Sequence, residues 1–344
     1  MYEAQYYKDI KNKRIAIFGI TPPPIGGVSV HIDRITKKFT ENTNNNNKVY
    51  NFKTEFRGRR YLLAPYLFYA AIFLIYHKID IVYYHSSYLP NSFTEILFLS
   101  RLKKYLKFIN FKFKLILVEH NCRHMYKRSK KDLHKINKAL KNTDLIVFMW
   151  ASTYDSYVNN NIKINKYIID SAFLPPDMSK KNDILKTYPQ TLYKFIDTHK
   201  PVLLVNASII STAEKDLYGL DKSINAIANL KSKTPNIGLI IALANIGNKE
   251  YFDNLKEQIK KLGLQDNIYF LLDQHEMWPL LEKIDLFLRP TLRDGTAISI
   301  FEAFIFKKPV VASNVCERPK GSIIFDINSE QDFIEKIKFS LKNT

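Results

Sequence analysis

The stretch from Asp285 to Ser313, DLFLRPTLRDGTAISIFEAFIFKKPVVAS, constrains this chain more than any other. Asp285 to Pro290 has the apolar character of a buried strand, and Asp294-Gly295-Thr296 reads as a turn. Ser299 to Phe306 predicts a helix, and Pro309 to Ala312 starts a second strand. A strand, a glycine turn and a helix N-terminus make a site for an anion. The N–H groups of the first helical turn have no partner within the helix, and the helix dipole favours negative charge there. Asp294 and Glu302, eight positions apart, place one acid at the helix mouth and a second about two turns inside.

The rest of the chain repeats this grammar. RIAIFGI (14–20) is a strand, followed by a Pro-rich turn, Gly26-Gly27, and a helix with Val28, Ile32 and Ile35 at helical spacing. That order opens a doubly wound α/β domain, with the ligand crevice at the carboxyl end of the strand. The glycine pair is not G-x-G-x-x-G, so no dinucleotide fingerprint is present. Strands are expected at VYNFKT, at DIVYY ending in His85, at KLILVEHN ending in His120, and at 144–149 and 166–173. A helix is expected over 91–107. Leu174-Pro175-Pro176-Asp177 breaks the series, and the polar stretch after it suggests a linker over 177–200. Five more apolar strands follow (201–208, 238–245, 267–273, 285–291, 309–313), separated by amphipathic helices. The final helix is opened by an Asn or Ser cap.

The predicted organisation is therefore an α/β chain of two Rossmann-like domains, 1–176 and 201–328, facing each other across a cleft, with a terminal helix over 329–344. A chain of 344 residues is long enough for two domains of about 150–180 residues. Cys122 and Cys316 are too few for a disulfide framework or a cysteine metal site. The N-terminal stretch is a basic tail without the apolar core of a secretory signal. YLLAPYLFYAAIFLIY (61–76) is shorter than the ~20 apolar residues of a spanning helix, and Pro65 interrupts its start, so it reads as a buried helix. In-plane contact with a membrane stays open for it.

These motifs resemble a retaining GT-B glycosyltransferase of the large family 4, and RPTLRDGTAISIFEAFIFKKPVVAS carries the resemblance most specifically. The resemblance implies that Glu302 accepts the ribose hydroxyls of a nucleotide-sugar and that Asp294, where the family usually has Glu, holds the transferred sugar. Backbone N–H groups of Gly295, Thr296 and Ala297 would face the diphosphate, while Ser299 is either part of that set or a helix cap. Gln274, in the loop after a strand, corresponds to the base contact. His120 would position the sugar without acting as a nucleophile. Gly26, Gly27 and His85 would belong to the acceptor or phosphate loop, with His85 and His31 weaker candidates than His120.

The family's phosphate-binding Arg and Lys are missing. Their positions hold Asn206-Ala207-Ser208 and Tyr218, which leaves Lys215 and then Arg293 as substitutes, with Ser208 kept among the donor-binding residues and Arg289 either a cleft residue or a structural salt bridge. No D-x-D pair marks a divalent-metal site. The resemblance thus implies no metal and no cofactor beyond the nucleotide-sugar cosubstrate.

The formal net charge is +19. Such a balance favours nucleic acid, an anionic membrane or phosphorylated substrates. Residues 101–141 hold fourteen Lys and Arg against Glu119 and Asp132, interleaved with Tyr105, Phe108, Phe111 and Phe113. Basic residues beside aromatics suit the surface of an anionic membrane, and also nucleic acid. Since the resemblance implies that this domain binds the acceptor, it implies a cytoplasmic protein peripheral on the inner face of the membrane, acting on a lipid-linked or oligosaccharide acceptor in surface-polysaccharide synthesis. Nucleic acid is not the expected partner. A sugar-nucleotide epimerase of the same fold and a basic nucleic-acid-binding protein are the alternatives.

Overall fold

The computed structural model describes residues 4–8, 10–23, 26–41, 46–53, 63–86, 89–120, 128–208, 216–295 and 297–343. The chain forms two units, Met1–Leu174 and Pro175–Thr344.

In the first unit the order is β1 (Arg14–Gly19), α1 (Gly27–Glu41), β2 (Lys48–Lys53), α2 (Leu63–Tyr76), β3 (Ile81–Ser86), α3 (Leu89–Leu106), β4 (Lys114–Glu119), α4 (Lys130–Leu140), β5 (Leu145–Phe148), α5 (Ala151–Val158) and β6 (Tyr167–Ile169). The six strands are all parallel, in the order β2-β1-β3-β4-β5-β6. The chain leaves β1 toward one edge and returns on its other side as β3. The switch point of the sheet therefore lies between the carboxyl ends of β1 and β3. Gly19 ends β1 there because a Cβ would run into the Ile32 side chain and stand 3.2 Å from Cβ of His85.

The second unit contains α6 (Lys181–Lys186), α7 (Gln190–Thr198), β7 (Val202–Ala207), α8 (Leu220–Lys231), β8 (Gly238–Leu243), α9 (Lys249–Lys261), β9 (Ile268–Leu272), β10 (Leu286–Arg289), α10 (Ile298–Ile305), β11 (Val310–Ser313), β12 (Ile323–Phe325) and α11 (Glu330–Lys342). Its parallel order, β12-β11-β10-β7-β8-β9, is the doubly wound pattern with the switch between β7 and β10. Each unit is thus a Rossmann-like domain, as the strand–helix alternation predicts. Leu203, Val205, Leu239, Ile241, Leu286 and Leu288 fill one face under α8 and α11, which explains their near-continuous apolar runs.

Four local expectations change. The stretch 177–200 is not an extended linker: Tyr188, Leu192 and Phe195 are buried against Val202 and Leu204 of the second sheet. The supposed basic tail packs into the first core, with Ala4 and Tyr6 buried and the Gln5 and Tyr6 amides donating to the Asp170 carboxylate at 2.7 and 2.6 Å. α2 is only half buried, because Ala70 and Leu74 enter the core while Phe68, Tyr69, Ile72 and Tyr76 face solvent. Among the basic-face aromatics, Phe113 joins the core, whereas Tyr105 and Phe108 are exposed. β12 has no clear sequence signal, being a three-residue edge strand with Ile324 exposed. Ser329 is the cap of α11, its hydroxyl accepting from the Asp332 amide at 3.1 Å.

Candidate functional site

At the switch point of the second sheet, β10 ends in Arg289 and the turn that follows carries Asp294. The two form a bidentate pair: Arg289 Nε and Nη2 donate to the two carboxylate oxygens at 2.7 and 2.9 Å. Arg318, beyond β11, donates Nη1 to the same carboxylate at 2.7 Å. Thr291 Oγ1 and the Gly295 amide add bonds at 3.1 and 2.9 Å. Five donors on two oxygens exceed the roughly four lone-pair sites a carboxylate offers. Asp294 is therefore engaged in the protein and does not present an open oxygen to a sugar. Its direct duty is to hold two guanidinium groups side by side. Burial works to raise its pKa, but Arg289 and then Arg318 outweigh that and hold it well below the usual carboxylate range.

Arg318 was invisible to motif reading because it lies 24 residues from Asp294 and belongs to no pattern. Its side chain is 2% exposed. Nε donates to the Ser313 carbonyl at 2.8 Å, and Nη2 donates to Thr291 Oγ1 and Ser313 Oγ at 3.1 and 2.9 Å. Arg289, weighed from sequence as a cleft residue or a salt bridge, is the salt bridge, yet it reaches further. Its Nη1 donates to Asn206 Oδ1 at the end of β7 at 3.0 Å. These bonds use three of its five N–H donors. Two guanidiniums against one carboxylate leave the cluster with a net positive charge at the carboxyl ends of β7 and β10, where open α/β sheets bind ligands.

Tyr218 and Ser208 complete this face. Their hydroxyls are hydrogen-bonded to each other, and the Arg289 guanidinium lies 5.9 Å from the Tyr218 ring centre. The position expected to be a lysine thus carries an aromatic ring that supports an arginine. Gly219, next in the chain, caps α8 with φ +68°, and a Cβ there would collide with the Pro290 carbonyl oxygen. The glycine lets the α8 start press against the turn that holds Arg289.

Glu302 lies in the second turn of α10 and is buried. Its carboxylate is close enough to Tyr188 to help raise that hydroxyl's pKa, after burial, Tyr193 and Glu276. Tyr188 in turn donates to the Glu276 carbonyl at 2.5 Å and meets His275 edge-on at 5.7 Å. The loop carrying Gln274 and the helix carrying Glu302 therefore converge on Tyr188, a residue of the stretch expected to be linker. Ala297, not Ser299, occupies the cap position of α10, and it makes no side-chain cap bond. Arg293 is exposed and is not among the partners of Asp294 described above. Lys215 and Thr296 lie outside the described residues.

The first unit has its own cluster at its own switch point. His85 is the penultimate residue of β3, His120 follows β4, and His31 lies on α1. His85 Nδ1 and His120 Nε2 are 3.0 Å apart, and the His31 ring centre is 5.0 Å from that of His120. Burial is the main cause that lowers all three pKa values; His31 falls to about 4, and His85 and His120 fall well below the usual histidine range, helped by their histidine neighbours. They are neutral imidazoles at physiological pH. Gly26 and Gly27 start α1, with the Gly26 amide donating to Ser29 Oγ at 2.9 Å. A Cβ would meet only Ser29 Oγ, at 3.9 Å, at Gly26 and nothing at Gly27, so the fold itself does not require glycine at either position.

Residues 207–344 match the family described as glycosyl transferases group 1, so the second unit carries a domain of that kind. An uncharacterised glycosyltransferase of Methanocaldococcus jannaschii is 29% identical over 30% of this chain and 25% of its own length. One from Haemophilus influenzae is 24% identical over 48% of this chain and 47% of its own. The chain thus spans half or less of the curated relatives it matches. HepE of Anabaena, crystallised with UDP and glucose, superimposes with a TM-score of 0.69 at 16% identity, over 96% of this chain and 90% of that one. That likeness shows a shared fold, the two-domain GT-B class expected from sequence.

Proposed function

We propose that the protein is a retaining, metal-independent glycosyltransferase of the hexosyltransferase type. It moves a sugar from a nucleotide-sugar to a lipid-linked or oligosaccharide acceptor in the synthesis of a surface polysaccharide such as a capsule or O-antigen. The observation that carries this reading is the Arg289–Asp294–Arg318 cluster at the switch point of the matched domain. A rigid, net-positive group suits a diphosphate whose negative charge grows as the sugar departs, since preorganised cations stabilise that charge without reorganising. Arg289 supplies the positive charge, Asp294 and Arg318 position it, and the backbone amides at the start of α10 add donors. The missing family Arg and Lys are replaced in this way from the other side of the turn.

Glu302 takes the ribose hydroxyls, and the Gln274–His275 loop lies beside the base. His120 positions and polarises the transferred sugar while the leaving phosphate helps take the acceptor proton, and His85 and the Gly26-Gly27 loop serve the acceptor side. HepE is crystallised with UDP and glucose, which makes UDP-glucose the first donor to try.

The acceptor side is assigned to the cytoplasmic face of an anionic membrane. Tyr105, Phe108 and Ile109 are exposed beside Lys104 and Lys107 at the end of α3, and aromatic and basic residues together suit a lipid interface. The contact proposed is peripheral; among the described residues no helix is long and apolar enough to cross a membrane. A donor screen by nucleotide release, on wild type and Glu302→Ala, tests the reading. Release from at least one nucleotide-sugar, lost in Glu302→Ala, is expected. Formation of an epimerised nucleotide-sugar without acceptor would replace it with the epimerase alternative.

A further inference from the structure

The transferase reading uses the first unit's histidines only in part. His31, His85 and His120 each bring one ring nitrogen to within 4.8 Å of the others, and all three are buried. His85 Nδ1 and His120 Nε2 share one hydrogen bond at 3.0 Å. With Nδ1 so used, His85 Nε2 is sealed from solvent with no partner among the described residues. Buried polar atoms are rarely left so, and each such atom calls for an explanation.

His31 is held differently. Its Nδ1 faces the Ala172 carbonyl at 2.6 Å, and its Nε2 is 2.8 Å from the Tyr6 hydroxyl. A carbonyl on one ring nitrogen fixes tautomer and orientation as in metal-binding histidines; the Nε2 lone pair this leaves accepts from the Tyr6 hydroxyl, which an ion at this position would displace. Three histidines on three separate elements, α1, β3 and the end of β4, converge where a doubly wound sheet opens toward ligand. A packing core would use apolar side chains here, as the surrounding Ile15, Ile17, Ile32 and Tyr83 do.

We propose that His31, His85 and His120 form a binding site for a transition-metal ion of the zinc class. Neutral imidazole nitrogens suit zinc, copper and nickel ions, and three histidines leave a further coordination position for water or a hydroxyl. The metal takes no part in the transfer step, which draws its positive charge from the arginines of the second unit. Occupancy engages a lone pair of His120 and withdraws that ring from the sugar. Metal-loaded protein therefore loses transfer and regains it with chelator, a consequence that rests on the transferase reading.

The binding itself is tested without any sugar. Chelator-treated full-length protein is titrated with Co²⁺ and followed by its visible spectrum, then challenged with Zn²⁺. One equivalent should bind with the intense bands of four- or five-coordinate cobalt and be displaced by zinc. Affinity should fall by at least about tenfold in His31→Ala and in His85→Asn, and stay unchanged in the exposed His134→Ala. Absence of binding, a weak six-coordinate spectrum, or binding untouched by both cluster variants would overturn the site. Should either cluster variant not fold, the wild-type spectrum and its stoichiometry decide alone. A failed titration leaves the outcome of the donor screen standing, and a failed donor screen leaves that of the titration.

Discussion

Asp294 accepts two hydrogen bonds from Arg289, at 2.7 and 2.9 Å, and this bidentate contact ties the turn after β10 to the strand itself. With Arg318 on the same carboxylate, the acid serves the protein before it serves any ligand.

The first prediction follows from that duty. Asp294→Asn removes the carboxylate that stands between two buried guanidiniums, and breaking a buried ion pair from one side costs about 3–5 kcal/mol. Urea unfolding should show a loss of that size. An acid that merely held a sugar would leave stability unchanged, or raise it.

Gly219 gives a second test. Its φ of +68° and the nearness of the Pro290 carbonyl make alanine unfavourable twice over. Backbone strain and overpacking together should cost roughly 2–4 kcal/mol. Gly27→Ala, where a Cβ meets nothing within 4 Å among the described residues, should match the unfolding free energy of wild type to within about 0.5 kcal/mol.

The two sets of alternating strands and helices were legible because most of the strands are short apolar runs, whereas the order of the strands within each sheet comes only from the structure. Glu302 was legible too, since a buried acid among Ile300, Phe301 and Ala303 stands out in sequence. The partners of Asp294 were not, because Arg318 is brought to it by the β11 crossover and has no local signature. The three histidines were visible singly, but only the parallel pairing of β1, β3 and β4 places them together. Tyr188 was lost because a polar-looking stretch hid three buried residues, Tyr188, Leu192 and Phe195.

Asp216 sets a pH dependence. Burial first, then the Asp221 side chain, push its pKa up to about 8. The folded state therefore holds a proton that the unfolded chain releases near pH ~4. Its contribution to stability is full below that point and is lost as pH rises through about 8. Asp216→Asn keeps an oxygen for the Asp221 amide, which now donates at 2.8 Å, and carries no titrating proton. Its unfolding free energy between about pH 6 and 9 should be flatter than that of wild type.

The membrane contact is tested by Phe108→Glu and Ile109→Glu. These side chains are 83% and 64% exposed, so stability should shift by no more than about 0.5 kcal/mol. Co-sedimentation with anionic liposomes at low salt should drop for both variants. Undiminished sedimentation would move the contact elsewhere.

The central claim is that the Arg289 cluster receives the diphosphate of a nucleotide-sugar, and calorimetric titration with UDP tests it most directly. Wild type should bind, and Arg289→Gln should bind about ten- to a hundredfold more weakly, as expected for loss of a charged hydrogen bond of about 1.5–3 kcal/mol. Equal affinity in the two proteins, or no binding of UDP, GDP or ADP by wild type, would contradict the account.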